Sequence, residues 1–374
     1  MATSIHLPKT LYHGPGSLAA LESAVKRLGI DHLFVILSER TKSELEGEIR
    51  SLLKKSRTAV TFCTHASKEP TLAHVAEVRK RFQSSGCDGI LAIGGGSAID
   101  LAKAVAVTAK TNIASIKNFE IGHIERHPLI AVPTTAGSGS EATKVFVITD
   151  EKENIKHNPA HPSIIPDVAI LDPELTLSLP RNVTAQTGMD ALAHAIEAFV
   201  SNKSSPASDM YAMKAIELIG TNLTTVYHEP NNLLAREQML LGSHFAGIAF
   251  SNASTNLAHA SARPLGARFQ LPHGLTVALT LPPVVRFGLE AAKDRYEKIA
   301  AILHTDDLLM YLENLNETFE IYEEARRFID KTVLENMIPL LVQDALSGNG
   351  ILTNRKIPDK EDVFHVYEQI RKRL

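Results

Sequence analysis

The sequence predicts an α/β domain followed by an all-α domain, and three observations carry that prediction. The first part of the chain alternates strand-like apolar runs with helix-like segments, as in a parallel sheet with helices on both faces. After Pro180 the strand-like runs give way to long helical patterns. The chain has 374 residues, more than one ordinary core holds. We therefore predict an α/β domain over residues 1–180 and a helical domain over residues 181–374.

The predicted elements follow from apolar runs and from helical spacing. The strands are expected at His32–Leu37, Thr58–Cys63, Gly89–Ile93, Pro128–Val132, Val145–Ile148 and Val168–Leu171. Helices of the first domain are expected over 41–55, 71–82 and 97–110. Helices of the second domain are expected over 185–200, 207–223, 234–250, 252–265 and 274–287.

Composition excludes several classes of protein. Hydrophobic residues make up 44% and charged residues 22% of the chain, which is typical of a globular protein and not of a disordered one. A net charge of -3 gives no reason to expect nucleic acid or an anionic membrane as partner. Neither a signal peptide nor an apolar stretch of about 18 residues is visible, so we expect a cytoplasmic protein. Cys63 and Cys87 form no CxxC pair, and we expect buried, reduced thiols.

A glycine-rich loop follows the third predicted strand. Gly94, Gly95, Gly96 and Ser97 come directly after Ile93 and open a predicted helix. Glycines let the backbone approach a ligand closely, and the free N–H groups of a helix start attract phosphate. This arrangement favours Rossmann-like dinucleotide binding, although it is not the GxGxxG fingerprint. The loop could instead be a tight structural turn, with Ser97 as the N-cap of the helix.

A second loop, residues 133–141, also follows a predicted strand and is rich in glycine and small hydroxyl residues. Its side chains could donate further hydrogen bonds to the phosphates and ribose of a dinucleotide. The alternative is a flexible connection, and the neighbouring glycine-rich loop is what favours the binding role.

A carboxylate and several imidazoles are spaced as metal ligands. Asp190 and His194 lie one helical turn apart on the same face, where both can reach one ion. His259 lies within a later helix and His273 at the start of the next. A carboxylate with three imidazoles suits Fe(II) or Zn(II). The chain has 16 histidines, so a local hydrogen bond between Asp190 and His194 remains the alternative.

These motifs, taken in order, resemble the iron-containing (group III) alcohol dehydrogenase family. The matching segments are Gly94-Gly-Gly-Ser97-Ala-Ile-Asp100-Leu-Ala-Lys103, Pro133-Thr-Thr-Ala-Gly-Ser-Gly-Ser-Glu141, Thr187-Gly-Met-Asp-Ala-Leu-Ala-His194-Ala-Ile-Glu197, His259, Pro264-Leu-Gly-Ala267 and Pro272-His273-Gly274. The resemblance covers nearly the whole chain and is weakest over residues 300–345. It implies a dehydroquinate synthase-like architecture, with a dinucleotide domain followed by a helical metal domain.

The resemblance also implies a site. Carried over by position, the metal ligands are Asp190, His194, His259 and His273. Gly95, Gly96 and Ser97 would contact the pyrophosphate, with Asp100 close by. The remaining cofactor contacts would come from Thr134, Thr135, Ser138 and Lys156. Phe250 falls where the family often lines its substrate pocket with an aromatic residue. The family is usually a homodimer or a larger homo-oligomer.

The sequence departs from the family pattern at two positions. Many members carry a second histidine four residues after the third ligand, where this chain has Arg263, and a glycine three residues before that ligand, where it has Asn256. On a helix both would share the face of His259. We therefore predict a small aldehyde or alcohol with an anionic tail, such as a semialdehyde, sulfoacetaldehyde or phosphonoacetaldehyde. Alternatively, Arg263 pairs with an acid such as Glu197 or contacts the cofactor.

The choice between NAD and NADP depends on the end of the first predicted strand. Relatives that prefer NAD often have an aspartate there, whereas this chain has Ser38 followed by Glu39 and Arg40. A small residue leaves room for a 2′-phosphate, and Arg40 could neutralise it, which favours NADP. Glu39 argues for NAD, and an ordinary surface turn is the third interpretation.

Three other functions compete with a metal-dependent, NAD(P)-linked alcohol dehydrogenase. A dehydroquinate synthase or glycerol-1-phosphate dehydrogenase shares the expected fold but would bring a different ligand set. A metal-free maleylacetate reductase is disfavoured because all four ligand positions are filled. A non-catalytic metal or nucleotide binder is disfavoured because cofactor and metal motifs occur together.

Overall fold

The computed structural model describes residues 4–64, 69–112, 116, 124–153 and 155–374. The chain divides into two compact units. One consists of His6–Thr135 and Gly139–Ser178, and the other of Leu179–Leu374 with Ala136–Ser138 and the N-terminal residues. A short piece of the second loop, Ala136–Ser138, thus belongs to the later unit. Within the described part of the chain, we find no helix with the length and apolar character that crossing a membrane requires.

The first unit is built on a six-stranded parallel sheet in the order β1-β8-β5-β4-β2-β3. Its strands are β1 Thr10–His13, β2 His32–Leu37, β3 Ala59–Thr64, β4 Gly89–Gly94, β5 Leu129–Pro133 and β8 Val168–Leu171. A separate antiparallel pair consists of β6 Ile148–Asp150 and β7 Ile155–His157. The helices are α1 Leu21–Leu28, α2 Glu39–Lys54, α3 Leu72–Ser85 and α4 Gly96–Thr108.

Both faces of the sheet are buried, which is why its strands are almost continuously apolar. Phe34 and Ile36 of β2 enter one core cluster with residues of α3 and α4. Their neighbours Leu33 and Val35 enter the cluster on the opposite face with residues of α1 and α2. This alternation is the period of two expected for a strand between helical layers.

The second unit is helical. Its helices are α5 Arg181–Val200, α6 Pro206–His228, α7 Leu233–Ala253, α8 Leu257–Phe269, α9 His273–Gly288, α10 Lys293–Ile302, α11 Leu308–Thr318, α12 Ile321–Arg326, α13 Lys331–Leu346 and α14 Lys360–Arg373. The central helix is α5, in which 16 of 20 residues are buried because it packs against α6, α7 and α9.

The predicted fold class, an α/β domain followed by an all-α domain, is confirmed, and several details are wrong. Val145–Ile148 is not a strand of the main sheet, because β6 begins only at Ile148 and pairs with β7. The segment predicted as a helix from residue 252 breaks at Ser254, whose φ of 78° leaves the helical region. Ser97 is not an N-cap, because Gly95 holds that position of α4.

Lys103 is a fully buried cation in the first unit. Its ammonium group on α4 donates to the carbonyl oxygens of Thr143 and Val145 and to the Thr143 hydroxyl, at 2.8–2.9 Å. One helical turn earlier, the carboxylate of Asp100 accepts a hydrogen bond from the Val147 amide at 2.9 Å. The two side chains therefore fasten the helix after the glycine-rich loop to the segment 143–147.

We predict that the stability contributed by Lys103 grows at alkaline pH. Burial lowers the pKa of Lys103 to about 8, whereas an unfolded lysine titrates near 10.4. Between these values the unfolded chain binds more protons, so the free energy of unfolding rises with pH. The difference between wild type and Lys103→Met should widen by about 2 kcal/mol from pH 8 to pH 10. Urea denaturation at both pH values measures it, and an unchanged or narrowing difference would contradict the lowered pKa.

Candidate metal and cofactor site

Helix α5 carries three ionisable side chains into the interior of the helical unit. Asp190, His194 and Glu197 have exposed fractions of only 5%, 5% and 2%. Their spacing of four and then three residues places them on one face of the helix. Burying a carboxylate is costly unless it is paired with a cation or with hydrogen-bond donors. The two buried carboxylates therefore need hydrogen-bond donors or cations as partners, and the neighbouring helices provide them.

Three imidazoles converge on one carboxylate oxygen. Asp190 Oδ1 lies 3.3 Å from His259 Nε2, 3.6 Å from His273 Nε2 and 4.0 Å from His194 Nε2. The rings of His194 and His259 are stacked, with centroids 4.4 Å apart. The four predicted ligands come from α5, α8 and α9, and α9 packs against both of the other helices. The structure thus brings the donor atoms of Asp190, His259 and His273 within 4.8 Å of one another, and it places His194 Nε2 at the edge of this cluster.

The donor atoms fit one divalent ion. Ligands about 2.1 Å from a tetrahedral ion lie about 3.4 Å from one another, close to the two shorter separations at Asp190. Asp190 Oδ1 and His259 Nε2 are both buried and lie 3.3 Å apart, but they form no well-directed hydrogen bond with each other or with another described residue. Buried polar atoms in a native protein are normally satisfied, so these two atoms indicate a site completed by a cation. Carboxylate and imidazole ligands suit Fe(II) or Zn(II).

The charge states of the cluster favour a cation as well. Burial would raise the pKa of Asp190, but the imidazoles of His194, His273 and His259 outweigh it and hold that pKa well below its usual range. Burial lowers the pKa of His194 to about 3, so this ring is neutral at pH 7. Burial would also lower the pKa of His259, but Glu197 and Asp190 raise it to about 9. A metal ion at His259 therefore displaces a proton, which makes binding stronger as the pH rises.

Glu197 is a part of the site that the sequence reasoning missed. One oxygen of its carboxylate accepts a hydrogen bond from His259 Nδ1, and the other accepts from the backbone amide of Ala258 at 2.7 Å. The signal was present, because Glu197 lies three residues after His194 on the ligand-bearing face of α5. The sequence predicts Glu197 only as a possible partner of Arg263.

His273 reaches Asp190 because α9 begins very close to α5. A Cβ atom placed on Gly274 would lie 2.3 Å from the backbone oxygen of Gln186, far inside van der Waals contact. The obstacle is backbone within a buried helix, so it cannot move aside cheaply. Glycine is therefore required next to the ligand, and its absent side chain sets the position of His273.

We predict that Gly274→Ala weakens metal binding by at least about tenfold, because α9 must shift away from α5 and a 1 Å displacement already spoils ligand geometry. Zn(II) affinity by competition with a chromophoric chelator measures the effect. Gly47→Ala is the control, since its added methyl group meets nothing within 4 Å in the interior of α2. That variant should keep the affinity and gain about 0.5–1 kcal/mol of stability. Equal affinity in both variants would show that Gly274 does not position His273.

The predicted substrate-side residues occupy different surroundings. Phe250 on α7 stacks on His194, with ring centroids 4.2 Å apart and planes 17° from parallel. Asn256 precedes α8 and does not lie on it, and its amide donates to the backbone oxygen of Glu197 at 2.9 Å. The observed contact of Asn256 is therefore structural. Contrary to the prediction from the sequence, Asn256 does not share a helical face with His259. Its role at the substrate stays a prediction.

Arg263 lies on α8 one turn after His259, on the same face. Burial lowers the pKa of its guanidinium, and the charge of Glu197 acts in the opposite direction. No described residue forms a hydrogen bond or a close ion pair with it. The two oxygens of Glu197 are engaged by Ala258 and His259. The alternative in which Arg263 pairs directly with Glu197 is therefore not what the structure shows.

The glycine-rich loop and the second loop meet at the carboxyl ends of β4 and β5. The amide of Thr134 donates to the carbonyl of Gly94 at 3.0 Å, and Gly95 lies against the side chain of Thr135. A Cβ atom on Gly94 would lie 2.8 Å from that of Ala98, so α4 can start this close to β4 only with glycine there. Gly96 and Ser97 form the first turn of α4, and the start of a helix is a setting that suits a pyrophosphate.

The other predicted cofactor residues have contacts of their own. Asp100 is held by the Val147 amide, and burial raises its pKa. Ser38 is the N-cap of α2 and accepts from the Thr41 amide. Arg40 is exposed and pairs with Glu44 at 3.0 Å, and Lys156 on β7 pairs with Glu69 at 2.7 Å. Ser138 belongs to the helical unit. Their roles in cofactor binding stay predictions.

Comparison with known proteins identifies the family of this chain. The sequence model described as iron-containing alcohol dehydrogenase matches residues 8–173, and the one for the C-terminal part of the Fe-containing alcohol dehydrogenase family matches residues 184–371. The chain is 40% identical to the probable alcohol dehydrogenase EutG of Escherichia coli, over 80% of this chain and 76% of that protein. It is 30% identical to the NAD-dependent methanol dehydrogenase of Bacillus methanolicus, over 97% and 98%.

A solved structure supports the same family assignment. The sulfoacetaldehyde reductase from Bifidobacterium kashiwanohense, crystallised in complex with NAD+, superposes with a TM-score of 0.89 over 99% of both chains at 29% identity. A dehydrogenase class is therefore common to the fold, the sequence models and the relatives. The chain belongs to the iron-containing alcohol dehydrogenase family, and it is an oxidoreductase. The match favours this assignment over the dehydroquinate synthase and non-catalytic alternatives.

Proposed function

We propose that this enzyme interconverts a small primary alcohol and its aldehyde, with NAD or NADP as redox partner and one Fe(II) ion as Lewis acid. The metal would be held by Asp190, His194, His259 and His273. The observation that carries the proposal is the convergence of three imidazoles on Asp190 Oδ1, where buried donor atoms form no well-directed hydrogen bond with a described residue. Zn(II) is the alternative ion, since the same ligands suit both.

The residues of the proposed site have separate roles in this reaction. A divalent ion would supply Lewis-acid catalysis at the substrate oxygen, and the dinucleotide would supply or accept the hydride. Asp190 stays ionised and His194 stays neutral, so both are ready to act as ligands without losing a proton. Phe250, stacked on His194, covers one face of that ring with an apolar surface. Arginine at position 263 keeps its proton at neutral pH and therefore does not relay one.

We predict that Asp190→Asn abolishes metal retention and lowers aldehyde reduction at least about 100-fold, because a neutral amide cannot hold three imidazoles around a cation. Metal content per chain and the rate of NADH or NADPH oxidation with propionaldehyde measure the two effects. Asp306→Asn, on the exposed surface of the same unit, is the control. Wild-type protein that binds no divalent metal, or that reduces no aldehyde when metal is bound, would contradict the proposal.

For the choice of dinucleotide, we propose a preference for NADP over NAD. Ser38 leaves space at the end of β2, and the exposed guanidinium of Arg40 can exchange Glu44 for a 2′-phosphate. An exposed ion pair of this kind contributes at most about 1 kcal/mol, so its loss on cofactor binding would cost little free energy. Support for NAD comes from a relative, the NAD-dependent methanol dehydrogenase of Bacillus methanolicus. The ratio of kcat/KM for NADPH and NADH decides between them.

The substrate is the second finer part, and we propose that it carries an anionic tail. The guanidinium of Arg263, a half-buried residue, lies one turn from His259 and has no direct hydrogen-bond partner among the described residues. Such a group is satisfied best by a carboxylate, sulfonate or phosphonate, which it can bind through two parallel hydrogen bonds. A structural relative is named a sulfoacetaldehyde reductase, which supports this substrate class.

We predict that Arg263→Ala raises KM for succinic semialdehyde or sulfoacetaldehyde about 10–100-fold, since a charge-assisted hydrogen bond contributes about 1.5–3 kcal/mol. KM for propionaldehyde should change less than about threefold by the same reasoning. Arg268→Ala is the control, because Arg268 pairs with Asp344 at the solvent-exposed end of α8. Steady-state kinetics with all three aldehydes give the comparison. Equal losses for charged and neutral aldehydes would exclude anion recognition by Arg263.

A further inference from the structure

We propose that Glu197 is a positioning residue that fixes His259 as a metal ligand by holding the proton of its Nδ1 atom. The inference rests on the metal site proposed above and adds a role that lies outside the four ligands. Glu197 is almost completely buried and sits on α5, whereas His259 sits on α8. Its carboxylate therefore links the two helices that supply three of the four ligands.

The first step is the way in which α8 begins. A helix start has amide groups without intrahelical partners, and the residue before it normally accepts from them with its side chain. Asn256 holds that position but makes no side-chain cap bond, and instead donates to the Glu197 carbonyl. The Ala258 amide donates to the Glu197 carboxylate at 2.7 Å. Glu197 thus supplies from α5 the capping acceptor that α8 lacks, and this fixes the first turn, which carries His259.

The second step is the choice of tautomer. A neutral imidazole has one proton, and the ring nitrogen without it is the one that can bind a metal ion. His259 Nε2 lies 3.3 Å from Asp190 Oδ1, so a proton on Nε2 would be attracted to that oxygen and would close the ligand set. The carboxylate of Glu197 accepts from Nδ1 and holds the proton on the far side of the ring. The Nε2 lone pair then faces the other ligands.

The third step is charge. A carboxylate behind a metal-binding imidazole makes the ring more basic, and losing such a partner typically weakens metal affinity about 10–100-fold. Glu197 also contributes the charge that acts on the half-buried Arg263. Replacing the carboxylate with a neutral group of the same size should therefore reduce metal affinity without leaving a cavity.

The test is Zn(II) affinity of Glu197→Gln, measured by competition with a chromophoric chelator on the full-length chain. A glutamine keeps the size but must turn an NH2 group toward either Ala258 or His259, both of which are donors. We expect affinity to fall about 10–100-fold, with Glu197→Asp in between because it restores the charge at a longer distance. Asn316→Ala is the matched control, since Asn316 is fully buried in the same unit and donates to the Ala278 carbonyl.

Several outcomes would overturn the inference. Unchanged affinity in Glu197→Gln would do so, and so would an equal loss in Asn316→Ala, which would indicate general destabilisation. Wild type that fails to bind Zn(II) would instead overturn the metal site on which the inference rests. If Glu197→Gln does not fold, proton NMR of Zn(II)-loaded, 15N-histidine-labelled wild type replaces it. A downfield Nδ1–H resonance that disappears in His259→Asn supports the hydrogen bond, and its absence contradicts it.

Discussion

The interaction on which the helical unit depends is the one between Asp190 Oδ1 and three imidazoles. A buried carboxylate oxygen surrounded by ring nitrogens at 3.3–4.0 Å is a costly arrangement unless a cation completes it. The same low dielectric that makes the metal-free cluster costly makes the ion–ligand attraction strong. These atoms can meet because α9 packs against both α5 and α8.

Helix α5 organises this centre through a single face. Asp190 and His194 provide two ligands, and Glu197 fixes a third through His259. The backbone oxygen of Gln186, one turn earlier on that face, sets how closely α9 approaches and so where His273 lies. Four residues on about three successive turns of one helix therefore provide or position the proposed ligands. A change in the packing of this face of α5 would therefore change the positions of the proposed metal ligands.

Much of this organisation could be predicted from the sequence, and the exceptions have physical causes. The parallel sheet was predictable because its strands are continuous apolar runs. Spacing places Asp190 and His194 on one helical face, whereas the full ligand set follows from the family resemblance and stays a prediction. The strand β1 was missed because its residues Thr10–His13 lie at the sheet edge and are only half-buried. The break before Asn256 was missed because small residues continue the helical pattern across it. Glu197 was recognised only as a charge, since tautomer control depends on contacts between helices.

The central claim is that one metal ion is bound by a carboxylate and three histidines of this chain. X-ray absorption spectroscopy of anaerobically Fe(II)-loaded protein tests it most directly. The account predicts a first shell of nitrogen and oxygen atoms at about 2.0–2.2 Å, with outer-shell scattering from three imidazole rings. In His259→Asn the imidazole scattering should fall to that of two rings. A sulfur ligand, or a wild-type shell of oxygen atoms without imidazole scattering, would contradict the account.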